Sequence, residues 1–170
     1  MNIKDFPYKS NEPFPNINNL KGTQQDIALL HKAFSSCGSE TTAILQYVFQ
    51  SYVIKDEDIA KIIENIAMTE MVHHDYLGKA IVKLGGTPYY TNGFGGDYCT
   101  KCVFEGKNIV DMLNQNIKDE ESGINYYENI KKQLSSNELV ELIDRIILDE
   151  IVHVETFNKL LEYVSFYKNN

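Results

Sequence analysis

Tryptophan is absent from this chain of 170 residues, and only three cysteines and four prolines are present. Three cysteines do not make a disulfide framework, so a packed core must hold the fold. Three of the prolines (Pro7, Pro13, Pro15) precede residue 23, which leaves most of the chain free to form long helices. No run of 18 apolar residues occurs, so no transmembrane helix is expected. Positive charge is scarce: 16 Lys and Arg against 24 Asp and Glu give a formal net charge of -8. Such a surface repels nucleic acid and anionic membranes, and neither is expected as a partner. The segment Met1-Asn2-Ile3-Lys4-Asp5-Phe6-Pro7 lacks the apolar stretch of a secretory signal, so a cytoplasmic location is expected. The hydrophobic fraction of 43% is ordinary for one globular domain.

What the chain does have is an internal repeat. Glu70-Met71-Val72-His73 and Glu150-Ile151-Val152-His153 both read Glu-x-x-His, 80 residues apart. The same offset pairs Glu40 with Glu120, Tyr47 with Tyr127, Ile44 with Ile124, Ile63 with Ile143 and Ile66 with Ile146. The repeated unit is a helical hairpin, and its shared residues are largely polar.

Residues 1–22 carry Phe6, Tyr8 and Phe14 among the prolines. They read as an extended arm lying on the domain or on a partner subunit. Residues 23–170 read as an all-α, four-helix bundle. Apolar residues at three- and four-residue steps predict helix 1 over about Thr23 to Ile54, with Cys37 and Glu40 on its stripe. Helix 2 carries Ile59, Ile62, Ile63, Ile66, Leu77 and Ile81 and ends at Gly85-Gly86-Thr87-Pro88, where glycine can take the left-handed cap. Residues 86–104 form a Gly- and Tyr-rich crossover that carries the chain to a second hairpin. Helix 3 is expected over about Phe104 to Leu134. Ser135-Ser136-Asn137-Glu138 reads as a capping box opening helix 4, with Ser135 bonding forward. The fold expected is two helical hairpins joined by one long crossover.

Glu40 lies 15 residues before Lys55 and Glu70 lies 15 after it, so both stand about 22 Å from the hairpin turn. Glu120 and Glu150 flank Ser135 in the same way. His73 and His153 follow one turn on, on the same faces as their glutamates. Four ionised carboxylates in one dry layer cannot stand uncompensated. Two divalent metal ions offset their charge with both histidines neutral. Carboxylate oxygens with imidazole suit iron or manganese. The expected metal ligands are Glu40, Glu70, His73, Glu120, Glu150 and His153. Glu70 and Glu150 are expected to bridge, with Glu40 and His73 on one ion and Glu120 and His153 on the other.

These residues give the chain a resemblance to the ferritin-like superfamily, over about residues 23 to 167. Glu40-x-x-Ala43-x-x-x-Tyr47 is similar to the rubrerythrin first-helix motif, and Glu70-Met71-x-His73-x-Asp75 to the bacterioferritin second-helix motif. The resemblance implies two iron ions reacting with peroxide or oxygen while ferrous iron is oxidised. Manganese catalases share the six-ligand set, so two manganese ions and catalase activity are the alternative. A non-enzymatic iron-binding protein is the third reading. Two departures stand out. Gly123 occupies the position of the seventh carboxylate of rubrerythrins, and no fifth helix follows helix 4, so a storage cage is not expected. Met71 falls at the bacterioferritin haem-ligand position, yet a methionine beside such a site more often belongs to the core, and haem is not expected.

Other residues are read more narrowly. Asp149 is the candidate acceptor for the outer nitrogen of His73; its repeat counterpart is Thr69. His74 is about 100° around the helix from His73 and is not expected to bind metal. Tyr47 and Tyr127 either donate to ligand carboxylates, carry an electron, or simply pack. Cys37 reads as a small buried hydrophobe. Cys99-x-x-Cys102 is a reducible dithiol, a site shared between subunits, or a pair without function. A homodimer is expected; the sequence does not name an electron donor.

Overall fold

Asp56 opens the longest helix of the first hairpin, its side chain accepting from the amides of Asp58 and Ile59. A computed structural model describes residues 3–92 and 95–168, with side chains as far as Phe166. Among these residues there are five α-helices: α1 (Gln24–Phe34), α2 (Glu40–Val53), α3 (Glu57–Lys83), α4 (Ile109–Lys131) and α5 (Asn137–Lys168). An isolated bridge between Thr91 and Asp97 is the nearest thing to a strand among them. Helix α2 packs on α3 and α4 on α5, the two hairpins expected from the repeat. Among the described residues no helix is long and apolar enough to cross a membrane.

The first helix departs from expectation, because α1 and α2 replace one helix over Thr23 to Ile54. Gly38 sits at φ +79 and breaks the run. Polar side chains take up the freed carbonyls: Thr41 Oγ1 donates to Phe34 O at 2.7 Å, and Thr42 Oγ1 to Ser36 O at 2.8 Å. Cys37 falls in this break. It is exposed rather than buried on a stripe, and it is bonded to Cys102, with Cα atoms 5.2 Å apart. Cys99 remains a free, exposed thiol. The Cys99–Cys102 dithiol is therefore replaced by a link from the crossover to the α1–α2 break.

Two boundaries also move. Helix α4 starts at Ile109, because Gly106 turns at φ +70 and Asn108 caps the amides of Val110 and Asp111. Ser135 does not cap α5. Its amide and hydroxyl instead donate to Asp26 at 2.9 and 2.6 Å, tying α1 to the second hairpin turn. Helix α3 ends as the glycines require, with Gly85 at φ +88 and Gly86 N donating to Ile81 O.

The core has two apolar clusters. Leu30, Phe34, Leu77, Ile81, Leu139, Ile143 and Ile146 belong to one, and Ile59, Ile63, Ile66, Leu113, Phe157 and Leu160 to the other. Each fully buried aliphatic contributes about 1.5–3 kcal/mol, so the clusters stabilise a fold that can carry a costly polar layer. The N-terminal segment runs from one cluster to the other: Ile3 and Phe6 are buried in the second, Ile17 and Leu20 in the first. Between them it crosses α5, with Phe14 stacked on Tyr76 and under the guanidinium of Arg145.

Candidate metal centre

Between the two clusters the helices carry polar residues on their buried faces. Glu40 is the first residue of α2, Glu70 and His73 lie on α3, Glu120 on α4, and Glu150 and His153 on α5. All six are buried. They form two overlapping groups, Glu40–Glu70–His73–Glu150 and Glu70–Glu120–Glu150–His153, each with ligand atoms within 4.8 Å of one another. Glu70 and Glu150 belong to both groups. His73 Nδ1 lies 3.0 Å from Glu70 and 3.0 Å from Glu150. His153 Nδ1 lies 2.9 Å from Glu70.

The outer nitrogens fix the tautomers. His73 Nε2 donates to Asp149 Oδ2 at 2.9 Å, and His153 Nε2 to the main-chain carbonyl of Tyr8 at 3.0 Å. Both Nδ1 lone pairs then face the carboxylates. Glu70 Oε1, Glu150 Oε1 and His153 Nδ1 are buried without a hydrogen-bond partner. Lone pairs meeting at 2.9 Å require a cation, so these residues fit two metal ions.

In the absence of ions, protons take their place. Burial and the charges of Glu70 and Glu150 push Glu40 well above the carboxylate range, and Glu120 is raised by burial and the same two charges. Burial opposes protonation of His73 and His153, but the charge of Glu70 and further carboxylate contacts raise both well above the imidazole range. Burial acts upward on Glu70 too, yet the charges of His153 and His73 outweigh it and drive Glu70 below the usual carboxylate range. Burial and Glu70 act upward on Glu150, while hydrogen bonds with Glu120, His153 and His73 bring it down to about 2.

The tyrosines cross the bundle in a matched pair. Tyr47 on α2 donates to Glu120 on α4, and Tyr127 on α4 donates to Glu40 on α2. Burial, then the adjacent glutamate charge, raises both phenols well above their usual range. A cleft reaches this layer between α2 and α4. Gly38, Thr42, Gln46, Cys102 and Gly123 line its walls, and Glu40, Glu70, Glu120 and Glu150 its floor. A Cβ at Gly123 would meet nothing within 4 Å. His74 lies outside the layer, stacked on Phe34, and Met71 is on an exposed face of α3. Sequence reasoning missed the contribution of Tyr8, because a main-chain carbonyl leaves no mark on the residue type.

The profile of the Ferritin-like domain matches residues 29–166. A probable manganese catalase from Clostridium acetobutylicum is 24% identical over 83% of this chain and 72% of its own. The crystal structure of KatB, a manganese catalase from Anabaena, superposes with a TM-score of 0.84 at 22% identity, covering 94% of this chain and 81% of that one. The bacterioferritin of Desulfovibrio desulfuricans, described with a diiron site, superposes with a TM-score of 0.71 at 24% identity, covering 83% and 80%.

Proposed function

The chain belongs to the ferritin-like family and gathers two overlapping groups of metal ligands, and from this we propose that it is an oxidoreductase that disproportionates hydrogen peroxide at two manganese ions. The observation that carries the reading is the pair of overlapping ligand groups sharing Glu70 and Glu150 beneath an open cleft. Manganese, rather than iron, is supported by the named activity of the Clostridium relative. Two manganese ions would supply a two-electron couple, enough to reduce one peroxide to water and oxidise another to oxygen without an outside reductant.

The chain's own residues do the rest. Glu40 and His73 would hold one ion and Glu120 and His153 the other, with Glu70 and Glu150, which belong to both groups, shared between them. Tyr47 and Tyr127 orient the two terminal glutamates through their hydroxyls. An apolar cluster lies on either side of the layer, and the cleft opens onto it. On its walls Ser39, Thr42 and Gln46 offer hydrogen-bonding groups to a molecule of the size of peroxide.

A second reading, two iron ions oxidising ferrous iron with peroxide or oxygen, is supported by the likeness to the D. desulfuricans bacterioferritin. Protein loaded separately with each metal distinguishes the two. The manganese form should release one oxygen for every two peroxides with no added reductant. Oxidation of added ferrous iron by the iron form, with an inert manganese form, would favour the second reading. Inertness of both forms would overturn both and leave an iron-binding role.

A further inference from the structure

The two halves of the repeat treat their histidines differently. His73 gives its outer N–H to Asp149, and Asp149 is itself held by Arg145 at 2.8 Å and by the Ser10 amide at 2.6 Å. At the offset of 80, the counterpart of Asp149 is Thr69. The Thr69 hydroxyl supplies no carboxylate to His153. It lies 3.1 Å from the Asn65 carbonyl and 3.3 Å from the Tyr8 carbonyl. His153 finds its acceptor in that same Tyr8 carbonyl. The next carbonyl back, that of Pro7, accepts from Thr156 at 2.6 Å, and Phe6 is buried in the core beside it. Where one repeat supplies a carboxylate, the other supplies a threonine, and the N-terminal arm brings in a main-chain oxygen.

Building on the dimetal reading above, we propose that the arm completes the metal centre: the Tyr8 carbonyl positions His153 as Asp149 positions His73, and the two ion positions therefore differ in how firmly they hold metal. A ring N–H bonded to a carboxylate leaves the inner nitrogen more basic than one bonded to a neutral carbonyl. The position built on Glu40 and His73 holds its ion more tightly. The position built on Glu120 and His153 releases its ion first, and depends on the arm staying docked.

Full-length protein loaded with two manganese ions and challenged with excess chelator tests this. The wild type should release metal in two phases of one ion each. Thr69→Val with Thr156→Val removes the hydroxyls at the Tyr8 and Pro7 carbonyls and keeps the side-chain outline. It should speed the fast phase about tenfold or more and the slow phase much less, because Arg145 still holds Asp149 when the Ser10 amide is loosened. Asp149→Asn should speed the slow phase instead. Thr69→Asp combined with Thr156→Val returns a carboxylate to the first repeat and should restore slow release. Phe6→Ala, which loosens the arm at its buried anchor, gives a second route to the same selective effect, with helix content by circular dichroism as the control. Arm variants that speed both phases equally, or neither, overturn the inference. A wild-type protein that binds no metal defeats the earlier reading instead; one that holds two ions with arm-independent release defeats this inference alone.

Discussion

Tyr127 on α4 donates its hydroxyl to Glu40 on α2, across the bundle from its own hairpin. Tyr47 makes the reverse contact to Glu120. The pair crosslinks the two hairpins at the level of the polar layer, and each phenol satisfies an oxygen of a terminal glutamate. A hydrogen bond to a charged group contributes about 1.5–3 kcal/mol. Tyr127→Phe should therefore lower the unfolding free energy by about that amount, with metal content held near two per chain. Urea unfolding of the metal-loaded variant checks it, and an unchanged midpoint would remove the tyrosine from the site.

The metal-free protein should lose stability as pH rises. Glu40 and Glu120 have folded pKa values raised above the usual 4.5, and His73 and His153 above 6.5. Each favours the folded state fully below its unfolded value and loses that effect as pH climbs toward its folded value. Glu70, Glu150 and Asp149 are shifted down, so their support is present at higher pH and lost on acidification below the carboxylate range. The expected profile peaks near pH 4.5 and declines toward pH 8. Metal binding displaces the protons, so added metal should stabilise most at the alkaline end. Denaturation midpoints from pH 4 to 9, with and without manganese, read both trends; a flat metal-free profile contradicts the clustered carboxylates.

Gly123 lies within α4 at ordinary helical φ, with open space where a side chain would go. Glycine inside a helix costs about 0.5–1 kcal/mol relative to alanine. Gly123→Ala should stabilise the protein by that amount, read from its thermal midpoint. Gly123→Leu projects into the cleft and should slow peroxide turnover without changing metal content. Full turnover by the leucine variant would place the entry route elsewhere.

The cysteine bond joins the crossover to the α1–α2 break over a separation of 65 residues. Thiol titration of unreduced, denatured protein should find one thiol per chain, that of Cys99, and three after reduction. Reduction should lower the unfolding free energy by about 2–4 kcal/mol. Three thiols before reduction would show the link absent.

The legible parts of the sequence were those with a period. The offset of 80 marked six polar positions on apolar stripes, and these six converge in the layer. The hairpins and the crossover followed from the stripes and from Gly85. The break at Gly38 was hidden because apolar spacing continues on both sides of it, and the hydroxyls of Thr41 and Thr42 that stabilise it look like ordinary helix residues. Ser135 fitted a capping box and is used by Asp26, a partner 109 residues away that local pattern cannot reveal. The arm's contribution was the least legible, since Tyr8 and Pro7 act through carbonyls that any residue carries.

Counting metal on four alanine variants tests the central claim, a two-ion site in which Glu70 and Glu150 bridge. The wild type should hold two ions per chain. Glu70→Ala or Glu150→Ala removes a ligand from both groups and should leave less than one. Glu40→Ala or Glu120→Ala removes a ligand from one group and should leave about one. Helix content should persist in all four, because the apolar clusters carry the fold. Equal loss in every variant would contradict the bridging assignment, and two ions retained in every variant would contradict the site itself.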